Sequence, residues 1–249
     1  MQTVFGILGR VRVGAVGPRQ DGAGTGVGGK ASALLAALLL RANSTVGLDR
    51  LVEALWEGEP PRSAVANIRT HASTLRSGLD GGAFLHGRGG GYLLEVAAAD
   101  CDHLVFLDRT AAGRAALADG HTETAAAALT AALALWDGDR AAVGVPRNGP
   151  LSGWLGHLDE ERMRAVEDLA AAYLRLGEPR AALRDVSDLL AVSPLRGRSW
   201  ALRMRAQHAL GERGGVAESF RAADRAHRSE LGVGPDGRLR RLFEELVAG

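Results

Sequence analysis

Lysine is nearly missing from this chain: of 30 Lys and Arg residues, only Lys30 is lysine. Together with the abundance of Ala and Gly, this points to the codon bias of a GC-rich genome and leaves guanidinium groups to carry almost all the positive charge. Cysteine is limited to Cys101, which excludes an intramolecular disulfide, a four-ligand zinc site and a CxxC pair. A reducing compartment suits such a chain. No uninterrupted apolar run reaches the roughly 18 to 20 residues that span a bilayer, and no basic segment followed by an apolar one opens the sequence. No membrane partner is expected, and the cytoplasm is the expected location. A large charge of either sign is also missing: 30 basic against 29 acidic residues leave +1, unlike a histone-like polycation or an acidic tail.

What is present is a foldable chain. Its 249 residues read as one large or two ordinary domains, and 46% hydrophobic with 24% charged content argues for packed structure rather than disorder. The charge is divided unevenly. Residues 1–97 hold ten Arg/Lys and seven Asp/Glu, whereas 98–249 hold twenty and twenty-two, so contact with a polyanion is expected at the front.

The first residues, Phe5 to Val13, alternate roughly between apolar and small or polar positions and predict strands, and the glycine-rich stretch 14–29 predicts a turn between elements. From Lys30 to Ala42 a run of Ala and Leu predicts a helix apolar nearly all round, hence buried, with Asn43 and Ser44 stopping it. Leu48, Leu51, Val52, Leu55 and Trp56 then have the spacing of an amphipathic helix closed by Gly58 and Pro60-Pro61. A third helix over 64–79 buries Val65, Ile68, Ala72, Leu75 and Leu79, which turns Asn67, Arg69, Thr70, His71, Thr74 and Arg76 outward. Phe84 to Val96 reads as a hairpin around a basic, glycine-rich tip. Strands, three short helices and a closing hairpin make the layout of a winged helix, in which the third helix and the hairpin are the reading parts.

Beyond Asp102 the strand signals stop, and helices are predicted over about 102–118, 122–136, 151–176, 178–192, 196–210, 213–231 and 236–248. Leu176-Gly177-Glu178 recurs as Leu210-Gly211-Glu212, 34 residues on, and the same offset pairs Ala172 with Ala206 and Ala182 with Val216. That is the tetratricopeptide period, in which helical hairpins stack through small residues. A stretch from Gly138 to Pro150, with several glycines and prolines, interrupts the array, and an apolar stripe of Leu151, Trp154, Leu155 and Leu158 follows it. The expected class is therefore an α+β winged helix-turn-helix over 1–97 followed by an all-α tetratricopeptide-like domain over 98–249.

Several segments carry a resemblance: Phe5-Gly6-Ile7-Leu8-Gly9, Leu48 to Trp56 with Pro60-Pro61, Leu75-Arg76, Gly91-Tyr92-Leu93-Leu94, and Glu230-Leu231-Gly232-Val233-Gly234-Pro235. Through them nearly the whole chain resembles the Streptomyces antibiotic regulatory proteins, which join an OmpR/PhoB-type winged helix to a bacterial transcriptional activator domain. The resemblance implies a transcriptional activator of secondary-metabolite (antibiotic) biosynthesis genes. It implies binding to tandem direct repeats in double-stranded DNA near the promoter, as a homodimer on DNA, with recruitment of RNA polymerase and a place at the nucleoid. The larger relatives continue into a nucleotide-switch ATPase domain, and the chain resembles the small, stand-alone members. It departs from the pattern at Ala31, where an arginine often follows the lysine, at Ser77-Gly78, and at Gly89-Gly90, where the wing commonly has proline.

Matched to that class, Asn67, Thr70, His71 and Thr74 face the major groove, with Arg76 nearer the backbone. The groove is about 12 Å wide and displays a distinct donor and acceptor pattern for each base pair. Asparagine can pair bidentately with adenine, and threonine can offer its hydroxyl or pack its methyl on thymine. Arg88 corresponds to the wing arginine that reaches toward the minor groove, His86 to a phosphate contact, and Arg50 and Arg69 to further phosphate contacts that set register. Polarity alone fits a solvated helix face as well, though the surrounding pattern favours the groove reading; for Arg50 and Arg69 surface solubility explains the exposure equally. The small +3 charge of residues 1–97 and the sparse basic residues of the third helix motivate an alternative function, a tetratricopeptide-like interaction adaptor with a degenerate winged helix.

Other patterns point away from chemistry. Gly24 to Lys30 satisfies GxxxxGK, but the next position, where a phosphate-binding loop places its magnesium ligand, is Ala31. The seven histidines offer no HxxxH or HExxH spacing, Cys101 with His103 lacks a third orienting group, and Trp136, Trp154 and Trp200 are expected to anchor helix packing. The reading is of binding rather than catalysis, with no cofactor or metal.

Overall fold

The computed structural model describes residues 5–14, 29–77 and 84–248, with the backbone alone at Phe84 and Arg88. The chain forms two compact units, Met1–Asp108 with Ala134–Glu161, and Arg109–Leu133 with Arg162–Gly249.

In the first unit β1 (Phe5–Gly6) pairs antiparallel with β2 (Arg12–Val13). Helix α1 (Gly29–Leu39) is the hub. Every residue from Ser32 to Leu39 is buried, as a run of Ala and Leu with no polar face requires. A second sheet has the order β3-β5-β4, built from β3 (Val46–Gly47), β4 (Phe84–Arg88) and β5 (Gly91–Glu95), all antiparallel. The pairing of β3 demands glycine at position 91, because a β-carbon there would run into the carbonyl of Val46. Asn43 closes the link between α1 and this sheet. It takes a left-handed φ of 62°, its backbone N–H donates to Leu94 O, and its side chain bonds Val96 both ways, at 2.9 and 3.0 Å. Asn43 thus stands in for a strand residue where the chain turns too sharply to make one.

Helix α2 (Leu48–Leu55) buries Leu51, Ala54 and Leu55, and α3 (Ala64–Ser77) buries Ala64, Ile68, Ala72 and Leu75, one stripe at helical spacing. Two hydrogen bonds lock these helices to the hairpin. The Leu48 N–H donates to Gly90 O at 3.0 Å, and Arg76 Nε donates to Leu85 O at 3.0 Å. The whole arrangement is a winged helix.

Residues 134–161 complete this unit. The N–H groups of Asp137, Ala142 and Val143 donate to the carbonyls of Leu8, Ile7 and Gly9, each at 2.7 Å, so the insert lies along the segment that follows β1. Asp159 holds it there by accepting from Ala141 N–H at 2.7 Å and pairing with Arg147 at 2.7 Å. Leu151, Leu155 and Leu158 are buried, as their stripe predicts. From the other side the buried carboxylate of Asp102 accepts the N–H groups of Ile7 and Leu8 at 2.9 to 3.1 Å.

Helices α4 (Asp102–Ala118) and α6 (Gly149–Arg175) each have residues in both units, and α5 (Thr122–Leu133), α7 (Pro179–Val192), α8 (Gly197–Ala209), α9 (Arg213–Leu231) and α10 (Gly237–Ala248) belong to the second. The 34-residue repeat is structural. Gly177 and Gly211 sit at φ 74° and 76°, and the turns close identically through Glu178 N–H to Tyr173 O and Glu212 N–H to Gln207 O. Each is a helix C-terminus finished by a left-handed glycine. Ala172, Ala206, Ala182 and Val216 are all fully buried at the helix contacts. Two buried carboxylates are paired here: Glu167 accepts from Arg196 at 2.9 and 3.0 Å and from Ser199 Oγ at 2.6 Å, while Asp168 accepts from Arg114 and Arg198. Phe220 and Phe243 stack at 4.4 Å between α9 and α10.

Candidate nucleic-acid interface

The side of α3 opposite its buried stripe is open. Ala66, Arg69, Thr70, Ser73, Thr74, Arg76 and Ser77 are exposed, and Asn67 and His71 are half-buried at its edge. The helix carries two arginines and no carboxylate, so its surface is uniformly compatible with a polyanion. Small side chains dominate the open face, which lets a helix backbone approach a groove closely.

Hydrogen bonding decides what these side chains present. Thr70 Oγ1 donates to Ala66 O and Thr74 Oγ1 donates to Thr70 O, both at 3.1 Å, while Ser77 Oγ donates to Thr74 O at 2.8 Å. Asn67 Nδ2 reaches Ser63 Oγ at 3.5 Å, one helical turn back. Arg76 is half committed: its Nε holds β4, so one function of this residue is to fix α3 against the wing.

Arg69 reaches over a cleft of about 290 Å³ lined also by Leu48, Tyr92 and the glycines of the wing, Gly87 and Gly89 to Gly91. The third helix and the wing therefore border a common concavity. Gly89 and Gly90 make the turn at φ 54° and 80°, conformations that glycine takes without strain. The backbone of Arg88 ends β4 opposite Gly91, and its side chain lies outside the described residues. His86 is exposed, and its Nε2 lies 3.4 Å from Glu95 Oε2 across the hairpin, so a carboxylate shares the position expected to meet phosphate. Arg50, on the exposed side of α2, lies 5.9 Å from the ring of Trp154, and Arg41 lies at the same distance. The guanidinium of Arg50 is thus steadied by an aromatic face rather than by a carboxylate.

Of the residues expected from sequence, Asn67, Arg69, Thr70, His71 and Thr74 come together on one face with Arg76 at its end, while His86 and the Arg88 backbone lie on the neighbouring hairpin. Arg50 stands apart on α2. Ser73 was missed, although it lies between Arg69 or Thr70 and Ser77 at helical spacing; reading the solvent stripe by period rather than by polarity finds it.

The other patterns singled out in the sequence have specific surroundings in the fold. Most of the GxxxxGK segment lies outside the described residues; within them Lys30 Nζ donates to Leu55 O at 2.8 Å and sits 4.3 Å over the Trp56 ring. Cys101 is fully buried, and burial among apolar groups beside Asp102 pushes its thiol up to about 12, the wrong direction for a nucleophile. Burial likewise lowers His103 to about 4, keeping its ring neutral, with a hydrogen bond to the Leu39 backbone opposing the shift. Trp136 packs edge-on against Phe106 at 5.3 Å, and Trp200 is buried with its Nε1 donating to Pro194 O at 2.8 Å. Among the described residues no three His, Cys, Asp or Glu gather as a metal site, and no helix is long and apolar enough to cross a membrane.

Comparison with known proteins agrees with this architecture. Residues 101–247 match the Bacterial transcriptional activator domain. The chain is 33% identical over 258 residues to the transcriptional regulator RedD of Streptomyces coelicolor, covering 99% of this chain and 73% of that protein. It is 31% identical over 220 residues to the regulatory protein DnrI of Streptomyces peucetius, covering 84% and 80%. The solved structure of Mycobacterium tuberculosis EmbR, in complex with a low affinity phosphopeptide, superposes with a TM-score of 0.85 at 27% identity, over 99% of this chain and 65% of that one. With the activator domain matched over more than half of its residues and RedD over nearly all of them, the chain belongs to the Streptomyces antibiotic regulatory protein family of transcriptional regulators.

Proposed function

We propose that this protein activates secondary-metabolite biosynthesis genes by binding tandem direct repeats in promoter DNA, adjacent copies pairing as a dimer on the site. The observation that carries the reading is the open, carboxylate-free face of α3 bordering the glycine wing across one cleft. In this reading α3 lies in the major groove, with Asn67, Thr70, His71 and Thr74 toward base edges. Arg76 meets the backbone with whatever donors its bond to β4 leaves, and Arg69 and Arg50 meet phosphates, fixing register without reading sequence. His86 reaches phosphate only in competition with Glu95, which lies 3.4 Å away. Arg88 extends from the wing toward the minor groove, where narrow A·T tracts concentrate negative potential. The division of labour is DNA binding by 1–97 and activation, including contact with RNA polymerase, by 98–249, in the cytoplasm at the nucleoid. The test is a mobility-shift titration on DNA flanking the protein's own gene. A complex that survives excess nonspecific competitor and footprints as a repeated half-site is expected; uniform loss to competitor at every promoter tried would reject the reading.

A further inference from the structure

Threonine at a base edge can read either with its hydroxyl or with its methyl group, and the two choices select different bases. The hydrogen bonds of α3 remove the hydroxyls as donors to a base and leave their oxygens as acceptors only. Both exposed threonines spend their only hydroxyl proton on their own helix, Thr70 on Ala66 O and Thr74 on Thr70 O, at 3.1 Å each. Such back-bonding to the carbonyl four residues earlier turns the oxygen in toward the preceding turn and leaves the methyl as the outward group. Ala66, one turn before Thr70 on the same exposed stripe, adds a third methyl with no polar atom at all. Ser77 repeats the inward bond at the end of the stripe, donating to Thr74 O.

We infer that this stripe reads thymine by its 5-methyl group, Ala66, Thr70 and Thr74 forming an apolar ladder along the major-groove face of α3. The inference rests on the DNA-binding reading above and deepens it by naming the base chemistry recognised. Spacing supports it: residues 66, 70 and 74 recur every four positions, so the methyl groups lie about 6 Å apart along the helix. That is close to the rise of two stacked base pairs. The ladder therefore suits thymines about two steps apart, on either strand, with Arg69 free for phosphate at its flank.

The test uses the full chain and a site selected by it from random duplex DNA. Each thymine of the selected site is replaced singly by deoxyuridine, which removes one methyl and changes no hydrogen-bonding group. Uracil at two or three positions should weaken binding about fourfold each, the effect of exposing one methyl-sized apolar group. Thr70→Ser, which keeps the hydroxyl, should lose the same factor on thymine DNA and nothing more on the sensitive uracil site. Thr70→Val, which keeps the methyl, should bind within about twofold of the wild type, by the small size of a hydroxyl that makes no contact. If a specific site is selected but tolerates uracil everywhere, or if Thr70→Val loses as much as Thr70→Ser, methyl reading is wrong while DNA binding stands. If selection enriches no sequence, the DNA-binding reading itself fails and takes this inference with it.

Discussion

Asn43 combines a left-handed backbone with a two-way side-chain bond to Val96, so Asn43→Ala removes both bonds and keeps the unfavourable φ. A loss of about 2 to 3 kcal/mol in chemical denaturation is expected, against near neutrality for an alanine at exposed Ser73. His103 gives a pH dependence with a definite sign. Its ring titrates at about 4 in the fold against an ordinary 6.5, so between those values the folded chain binds fewer protons than the unfolded one. Stability is therefore complete above about pH 6.5 and falls as pH drops toward 4, by about 3 kcal/mol at most. Asp102, pushed up by burial against the pull of the Ile7, Leu8 and His103 amides, opposes this at the acid end of the window. Melting temperatures from pH 7.5 to 4.5 should fall less steeply for His103→Gln; equal slopes would remove His103 as the cause. At the interface, Arg69→Ala should weaken specific DNA binding about tenfold, the range of one charge-assisted phosphate contact, and shift the melting temperature little, since Arg69 is exposed.

At the scale of elements, the clearest sequence signal was the repeat, and the reason is geometric. A helix that must end and reverse needs a left-handed residue at one fixed place, so Gly177 and Gly211 mark equivalent turns that a reader of spacing can find. Gly177→Ala and Gly211→Ala should each cost about 1 to 2 kcal/mol, nearly alike, because a side chain at this φ is strained while the space around both is open. Differential scanning calorimetry of the pair checks this, and a strongly unequal loss would mean the two hairpins are not equivalent. By contrast, β3 is two residues long and carries no alternation; only its pairing with Tyr92 and Gly91 defines it. The buried stripe of α3 was legible because Ile68, Ala72 and Leu75 keep helical spacing, and its open face was legible only as the complement of that stripe. What that face offers, methyl or hydroxyl proton, depended on bonds to carbonyls that composition does not reveal.

For the whole molecule, a net charge of +1 leaves DNA affinity to a few local arginines rather than to a broad basic surface. With about five phosphates neutralised per protomer, log K should fall by roughly 4 to 5 for each tenfold rise in salt. A slope near zero in a fluorescence-anisotropy series would indicate that the arginines of α2, α3 and the wing do not meet phosphate. The insert 134–161 shows where reading along the chain stops being sufficient. It interrupts the helical array in sequence, yet its amides pair with Ile7, Leu8 and Gly9, more than a hundred residues earlier.

Hydrophobic period and glycine placement were enough to indicate the winged helix, the helical repeat and the face of α3 that is open. These are properties of nearest neighbours along a helix or strand, and local chemistry dictates them. The fold alone decided that Lys30 serves Leu55 and Trp56, that Arg76 is shared between α3 and β4, that Glu95 stands beside His86, and that the threonine protons turn inward. Each of those outcomes depends on which distant or one-turn-removed acceptor lies within about 3 Å, a distance that only the packed chain sets.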